Sequence, residues 1–371
     1  MDGTIWDHFA IVRDPRIERK KKHKLKDILA ITLCGAICGL EHWTHIEDFA
    51  VTHEQWFRSF LDLPNGIPSH DTIGRLFAAL EPQEFEKAFQ AWVYDLAGIT
   101  AGKHIAIDGK TLRRSFDKAS EKAAIHMVSA WVHENHAVFG QLKVDDKTNE
   151  IKAIPKLLEI LNLKDATVTI DAMGCQREIS QQIVDKDGHY VLALKGNQGQ
   201  LHEDVELFMN DAIERGSSDV SDVYESCEKG HGRIEQRRCW TSTQVDWLRE
   251  RHAWPALSSI AAVECRRTID GKTSTERRYF ISSHDGRCAQ RIATVVRNHW
   301  RVETELHWTL DVCFGEDNSR VRLENAAENL SRVRRIALVL LKQEKTARMG
   351  IKGKRMKAAY DKEYLLKVLN F

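Results

Sequence analysis

The chain has 371 residues, of which 42% are hydrophobic and 29% are charged, and its formal net charge is +1. These values predict a folded protein of two or three packed units and exclude a polycation. The most apolar stretch, residues 28–40, is too short to span a bilayer and has no cleavage-site pattern, so we expect no membrane partner. The eight cysteines are widely spaced, which predicts reduced thiols in a cytoplasmic protein.

Positive charge collects near both ends of the chain. Residues 13–26 contain eight Lys or Arg and two acidic residues, and residues 332–367 contain twelve and three. Two interpretations stay open for these runs. They form ordinary solvated surface, or they hold a polyanion while the middle of the chain does chemistry.

Residues 25–98 have the apolar spacing of α-helices, interrupted at the PNGIPS stretch, residues 64–69. The serine that ends this break, or the aspartate two residues later, would cap the next helix. The small and flexible residues of LAGITAGK, 96–103, predict a linker that leads out of a helical N-terminal domain spanning residues 1–100.

The pattern changes to an alternation of strands and helices beyond the linker. Apolar runs with β-forming residues predict five strands, at 104–108, 125–134, 137–145, 165–171 and 189–198. Helical spacing over 149–163 and 175–188 completes the order βββ-α-β-α-β. This order predicts a mixed α/β core whose first three strands form a meander.

Residues 201–290 are strand-like and irregular. They contain two candidate hairpins, 221–240 and 258–283, the second of which turns at an Asp-Gly pair. Helical spacing returns over 290–312 and 324–345, so the chain is expected to end in helices.

Two of the predicted strands end in an aspartate, Asp108 and Asp171. Ligands of open α/β sheets gather beyond the strand ends, where side chains leave the core. A single aspartate at such a position is more often a helix cap or the start of a turn. Two at comparable positions favour a functional site.

A third carboxylate is expected from the helix predicted over 290–312. Glu303 lies at the edge of its apolar stripe, with His299 and His307 one turn away on either side, so it would point toward the sheet. Three carboxylates suit Mg²⁺ or Mn²⁺, which prefer oxygen ligands. The other candidates for this third acid are Glu305, Asp311, Glu316 and Asp317.

Two other interpretations of these residues are weaker. The GKT sequence at 109–111 resembles the end of a nucleotide-binding loop, but the loop would need glycine at position 104, which is histidine. The pattern of His299, Glu303 and His307 suggests zinc, but it lacks the HExxH spacing of zinc-protease helices.

The chain resembles a known family, the DDE-type insertion-sequence transposases of the H-repeat-associated branch. The stretches that carry the resemblance occur in family order over nearly the whole length: PSHDTIGRLFAAL, IAIDGKTLRRS, TIDAMGCQREI, YVLALKGNQG and HWRVETELHWTLDVCFGEDNSR. The resemblance implies an α/β fold with a ribonuclease-H-like mixed sheet core and a β-rich insertion, preceded by a helical N-terminal domain.

The resemblance also implies the residues of the site. Asp108, Asp171 and Glu303 would form the catalytic triad and hold Mg²⁺, or Mn²⁺ as a substitute. Five cations would contact the DNA backbone, with ordinary surface charge as the alternative for each: Lys110, Arg113, Arg114, Lys195 and Arg301.

The implied activity is Mg²⁺-dependent cleavage at transposon ends, followed by attack of the freed 3′ hydroxyl on target DNA. Double-stranded DNA would be the partner, and synapsis of two ends implies a homodimer that acts at the nucleoid in the bacterial cytoplasm. Core packing is favoured for Trp300 and Trp308 over stacking on an unpaired base, because their helix is amphipathic. Two alternatives stay open: an inactivated or domesticated protein that only binds DNA, and a nuclease without strand transfer.

The expected division of the chain has five parts. Residues 1–100 form the helical domain, which would bind DNA ends, and residues 101–200 form the first part of the catalytic core. The β-rich insertion, the helices that carry the glutamate and a basic tail follow at 201–290, 291–345 and 346–371.

Overall fold

The computed structural model describes residues 4–97, 102–115, 124–134, 137–144, 150–230 and 232–369. Residues 98–101 of the predicted linker lie outside this set. Among the described helices, none is both long enough and apolar enough to cross a lipid bilayer.

The described residues before position 98 are largely helical, as predicted. Their helices are α1 (Ile5–Phe9), α2 (Leu25–Cys38), α3 (Trp43–Thr52), α4 (Glu54–Phe57), α5 (His70–Ala79) and α6 (Pro82–Ala97). α2 is buried along nearly its whole length, which explains why its sequence is apolar on all sides. Ser69 caps α5, since its hydroxyl accepts a hydrogen bond from the Thr72 backbone N–H at 3.3 Å.

The middle of the chain alternates strands and helices in the predicted order. The elements are β1 (His104–Thr111), β2 (His126–Val132), β3 (Ala137–Val144), α7 (Glu150–Ile160), β4 (Thr167–Ile170), α8 (Arg177–Asp185) and β5 (His189–Leu194). The prediction of βββ-α-β-α-β is therefore confirmed.

The prediction of strand-like structure beyond residue 200 is wrong for its first part, where α9 (Gln200–Arg215) forms. Leu201, Val205 and Met209 are buried and recur every four residues, so the segment has one apolar face. Gly216 ends the helix with left-handed backbone at a φ of 58°.

The two predicted hairpins are confirmed. The first pairs β6 (Asp222–Gly230) with β7 (Arg233–Ser242), and the second pairs β8 (Ser259–Ile269) with β9 (Lys272–Ser282). α10 (Asp246–His252) lies between them in the chain. The turn of the second hairpin is at the Asp-Gly pair, whose φ angles are 48° and 76°.

The nine described strands form one mixed sheet in the order β3-β2-β1-β4-β5-β9-β8-β7-β6. β1, β4 and β5 are parallel at its centre, and the other neighbouring strands are antiparallel. The hairpins extend the central sheet because β9 pairs with β5. In the register of β1 and β4, Ile107 lies beside Ile170, which puts Asp108 and Asp171 at the same edge.

Helices complete the chain after β9. They are α11 (Ala289–His299), α12 (Trp308–Phe314), α13 (Ala326–Gln343), α14 (Ile351–Tyr360) and α15 (Lys362–Leu369). A π-helical turn, Glu303–His307, precedes α12 and interrupts the single helix predicted over 290–312. α13 packs against α2, α5, α6 and β3, so it joins the N-terminal helices to the sheet.

Several cations of the basic C-terminal run are buried. The Arg332 guanidinium donates to Glu86 Oε2 at 2.6 Å and to Glu328 Oε1 at 2.8 Å, and Arg335 donates to Glu316 Oε1 at 3.0 Å. Buried charges need such partners because they have lost their water. Neither interpretation of this run, solvated surface or contact with a polyanion, therefore applies to these two arginines.

Candidate active site

β1 and β4 place the two aspartates at one edge of the sheet. Asp108 lies within β1 and accepts a hydrogen bond from the Gly109 backbone N–H at 2.9 Å. Asp171 follows β4 and accepts from the backbone N–H groups of Met173 and Gly174 at 3.1 and 3.3 Å. Asp171 thus caps the 3₁₀ turn 172–174, the structural role that the sequence left open for it.

The π-helical turn brings Glu303 and His307 to Asp108. His307 Nδ1 lies 3.2 Å from Glu303 Oε2 and 3.5 Å from Asp108 Oδ2. Ligand atoms of these three side chains all lie within 4.8 Å of one another. Among the described residues, this is the group of three that could share a metal ion, and Asp171 is not a member of it.

The electrostatics of the site reflect crowded negative charge. Burial, with a smaller effect of the Asp171 and Glu303 carboxylates, raises the pKa of Asp108 to about 6 against the opposing effects of His307 and the Gly109 N–H. The hydrogen bond with His307 lowers the pKa of Glu303 against the opposing effect of burial. Asp171 therefore acts on Asp108 even though it lies outside the closest group.

His307 is the residue of this site to which the sequence gave no role beyond the weak zinc pattern. The sequence feature that could have identified His307 is its four-residue spacing from Glu303, because this spacing puts both side chains on one helical face. His299 lies elsewhere. Its Nδ1 is 2.9 Å from Thr169 Oγ1, and that hydroxyl is 2.7 Å from His104 Nε2. The two histidines thus do not converge on one ion.

The other candidate acids have cationic partners of their own. Glu305 accepts from Arg301 Nε at 2.6 Å. Glu316 is fully buried and accepts from Arg335, which holds its pKa down at about 2 although burial alone would raise it. Asp311 pairs with Lys110, to which Asp317 lies 3.8 Å away.

The five predicted DNA contacts differ in exposure. Lys110 is only 7% exposed and lies against carboxylates of α12 and of the turn that follows it, 3.4 Å from Glu316 Oε2. The remaining four are exposed: Arg113, Arg114, Lys195 and Arg301. Arg113 also lies 3.3 Å from Asp317, and its side chain is 80% exposed.

The placement of Trp300 and Trp308 in the core is wrong. Their exposed fractions are 53% and 58%. The buried stripe of this segment is formed by Val302, Leu306 and Leu310, so the two indoles face outward beside it. Trp300 carries the Arg278 guanidinium over its ring at 4.4 Å.

A cavity of about 920 Å³ opens beside Glu303, between the two hairpins and α11. Its wall carries six arginines, Arg233, Arg237, Arg267, Arg278, Arg297 and Arg301. Glutamates pair with many of them, as Glu235 does with Arg233, so the cavity is polar without being strongly positive.

Comparison with known proteins identifies the class. The family model described as Transposase DDE domain matches residues 100–340, and a model described as DDE_Tnp_1-associated matches residues 6–93. The chain belongs to the transposase DDE domain family, and it is a DNA transposase.

Two relatives from Escherichia coli match almost end to end. The chain is 42% identical to "Putative transposase YncI" of strain O157:H7, over 99% of this chain and 94% of the relative. It is 40% identical to "H repeat-associated putative transposase YhhI" of strain K12, over 98% and 97%. The predicted H-repeat-associated branch is confirmed by these likenesses.

One solved structure is similar over most of the chain. It is a cryo-EM structure of the piggyBac transposase synaptic complex with hairpin DNA. The identity is 12% and the TM-score is 0.43, covering 98% of this chain and 76% of that chain.

Proposed function

We propose that this transposase cleaves phosphodiesters at insertion-sequence ends and transfers the freed strand to target DNA, with Asp108, Asp171 and Glu303 as its catalytic residues. The observation that carries this assignment is the meeting of Asp108 and Glu303 within one 4.8 Å group, next to the strand end that bears Asp171. Asp108 and Glu303 come from separate elements and meet there, with Asp171 at the neighbouring strand end, whereas the other candidate acids pair with cations.

We also propose a ribonuclease-H-like core. The order β3-β2-β1-β4-β5, with two antiparallel pairs followed by parallel ones, supports it. Within the proposed division of the chain, residues 1–100 bind DNA ends and the hairpins of 201–290 are an insertion between the second aspartate and the glutamate. Residues 346–371 form the basic tail.

The donor set fits Mg²⁺ or Mn²⁺. Carboxylate oxygens are the ligands that these hard cations prefer, and the raised pKa of Asp108 indicates a place where added positive charge is favourable. When bound, such a cation stabilises charge on the attacking and leaving oxygens of a phosphodiester. Asp108, Asp171 and Glu303 would hold it.

The chain's own groups orient these ligands. His307 holds the Glu303 carboxylate through Nδ1, and the backbone N–H groups of residues 173 and 174 hold Asp171. Phosphates beside the site would meet the four exposed cations at 113, 114, 195 and 301. Because two ends must be joined in one complex, the protein is proposed to act as a homodimer.

A cleavage assay tests the assignment. Purified protein is incubated with Mg²⁺ and duplex DNA that carries the inverted repeat flanking its reading frame. We expect cleavage and strand transfer, and we expect both to be abolished by Asp108→Ala, Asp171→Ala and Glu303→Gln. Glu305→Gln is the matched control, since Glu305 lies two positions away and pairs with Arg301.

The possible results separate the alternatives. A substituted protein that still cleaves would remove its residue from the triad. Binding without any cleavage by the unaltered protein would indicate an inactivated transposase. Cleavage without strand transfer would indicate a nuclease.

A further inference from the structure

Lys110 lies on the same face of β1 as Asp108, two residues further along the strand. Asp108 faces His307 at 3.5 Å, and Lys110 pairs with Asp311, four residues after His307. Two residues of strand advance about 6.6 Å and four residues of helix about 6 Å. The two contacts therefore match in spacing, and together they define one register of the helical segment on β1.

The charges around Lys110 are balanced within the protein. Its Nζ pairs with Asp311 and lies 3.4 Å from Glu316 and 3.8 Å from Asp317. Arg335 and Arg113 also reach this acidic group, at 3.0 Å from Glu316 and 3.3 Å from Asp317. Three cations thus face three carboxylates. With 7% of its surface exposed, Lys110 has little positive charge to offer a phosphate.

The acidic side of this contact is firmly anchored. Glu316 accepts hydrogen bonds from Ser331 and Arg335 of the buried helix α13, both at 3.0 Å. The Glu316 oxygen that lies nearest Lys110, Oε2, is buried and makes no hydrogen bond among the described residues. Lys110 Nζ faces this oxygen at 3.4 Å, while Arg335 donates to the other oxygen of the same carboxylate. The ion pairs connect β1, the segment that follows Glu303, and α13.

Given the proposed cation site, on which this inference rests, we infer that Lys110 is a positioning residue. It fixes the register of the π-helical turn and α12 on β1, and through that register it sets the separation of Asp108 and Glu303. It does not contact DNA. The predicted role of Lys110 as a backbone contact is replaced by this one, whereas Lys195 keeps the DNA role.

Two measurements on the full chain distinguish these roles. The first is Mn²⁺ binding in the absence of DNA, followed by the electron paramagnetic resonance signal of free Mn²⁺. The second is the affinity for end DNA as a function of salt concentration. Loss of one phosphate contact lowers the slope of log affinity against log salt by about 0.9. Loss of a residue that orients metal ligands weakens metal binding by roughly 10- to 100-fold.

We expect Lys110→Met to weaken Mn²⁺ binding at least tenfold and to leave the salt slope of DNA binding unchanged. Lys110→Arg should restore part of the Mn²⁺ affinity because it keeps the charge. Asp311→Asn, which is isosteric, should weaken Mn²⁺ binding to a similar extent. If Lys110→Met does not fold, Asp311→Asn tests the positioning role in its place. The double variant should be little worse than either single one, since both break the same ion pair.

Lys164→Met is the matched control, because Lys164 is an exposed lysine outside both the ion-pair group and the proposed DNA contacts. It should keep full Mn²⁺ affinity. Unchanged Mn²⁺ binding in Lys110→Met, or a salt slope lowered by about 0.9 in that variant, would overturn the positioning role alone. If the unaltered protein bound no Mn²⁺, the proposed cation site would fail and the role of Lys110 would fall with it.

Discussion

The buried arginine of α13 gives a prediction about stability. Arg332 is 1% exposed and joins Glu86 of α6 to Glu328 of its own helix. Arg332→Met keeps an unbranched side chain of reduced length and removes the charge. The two carboxylates, whose side chains are 5% and 11% exposed, then lose their cationic partner inside the fold.

The size of the effect follows from burial. Breaking a buried ion pair by removing one partner costs about 3–5 kcal/mol, because the other charge stays buried without compensation. Glu86 keeps two hydrogen bonds, from Gln90 Nε2 at 3.0 Å and from the Gln141 backbone N–H at 2.9 Å. These two hydrogen bonds reduce the free-energy cost of leaving the Glu86 carboxylate without its arginine. We therefore expect the lower end, about 3 kcal/mol in the free energy of unfolding.

Urea unfolding followed by circular dichroism measures this loss. The control is Arg215→Met, the same substitution in an ion pair with Asp211 whose arginine is 74% exposed, for which we expect about 0.5 kcal/mol or less. Adding Glu86→Gln to Arg332→Met should recover part of the stability. If Arg332→Met were no more destabilising than Arg215→Met, the buried pair would not hold α13 to α6 as described.

Three further predictions concern the site and its surroundings. Because burial raises the pKa of Asp108 to about 6, Mn²⁺ affinity should fall about fivefold between pH 6 and pH 5 as this carboxyl is protonated. Burial lowers the pKa of His104 to about 3 and of His299 to about 4, so their stabilising effect, complete above pH 6.5, is lost as the pH falls. For each histidine, the free energy of unfolding should be about 2 kcal/mol lower at pH 5 than at pH 7. Gly174→Ala should slow DNA cleavage, because a Cβ there would lie 2.2 Å from Ile170 Cγ2 and displace the strand end.

Each of these has a control. Mn²⁺ titrations of Asp108→Asn should show a weaker pH dependence than the unaltered protein, and an equal dependence would point to another group. His299→Gln should lose about 2 kcal/mol less stability between pH 7 and pH 5, and an identical loss would contradict its buried neutral state. Gly350→Ala, where a Cβ meets nothing within 4 Å, should leave cleavage unchanged.

The features that the sequence predicted well rest on local patterns. The apolar runs before Asp108 and Asp171 are short, so their pattern predicted both strands, although β1 continues past Asp108 to Thr111. Glu303 was one of five candidate acids in the pattern, and the resemblance to the family singled it out, although its side chain is 64% exposed. The helices before residue 98 and both hairpins were likewise predictable from local patterns.

The remaining features depend on contacts between distant residues. The pairing of β5 with β9 makes one sheet from two predicted units, and no local pattern specifies that partner. Lys110 is the clearest case at the site. Its ion-pair partner Asp311 is 201 residues away, so a lysine next to a strand end could not be distinguished from a DNA contact by sequence alone.

The π-helical turn was also beyond prediction, because an inserted residue leaves the apolar period almost unchanged over one turn. It is nevertheless what gives Glu303 and His307 their positions. Trp300 and Trp308 lie on either side of this turn and are exposed, whereas the amphipathic pattern averaged over the whole predicted helix had placed them in the core.

The most direct test of the central claim is to map the cation on the chain itself. Fe²⁺ is allowed to occupy the site in place of Mg²⁺, and ascorbate with hydrogen peroxide then generates radicals that cut the backbone close to the bound ion. The cut positions are read by mass spectrometry. We predict cuts beside Asp108, Asp171 and Glu303, which disappear when excess Mg²⁺ competes. Cuts confined to other segments, such as the acidic residues 311–317, would contradict the assignment of the site.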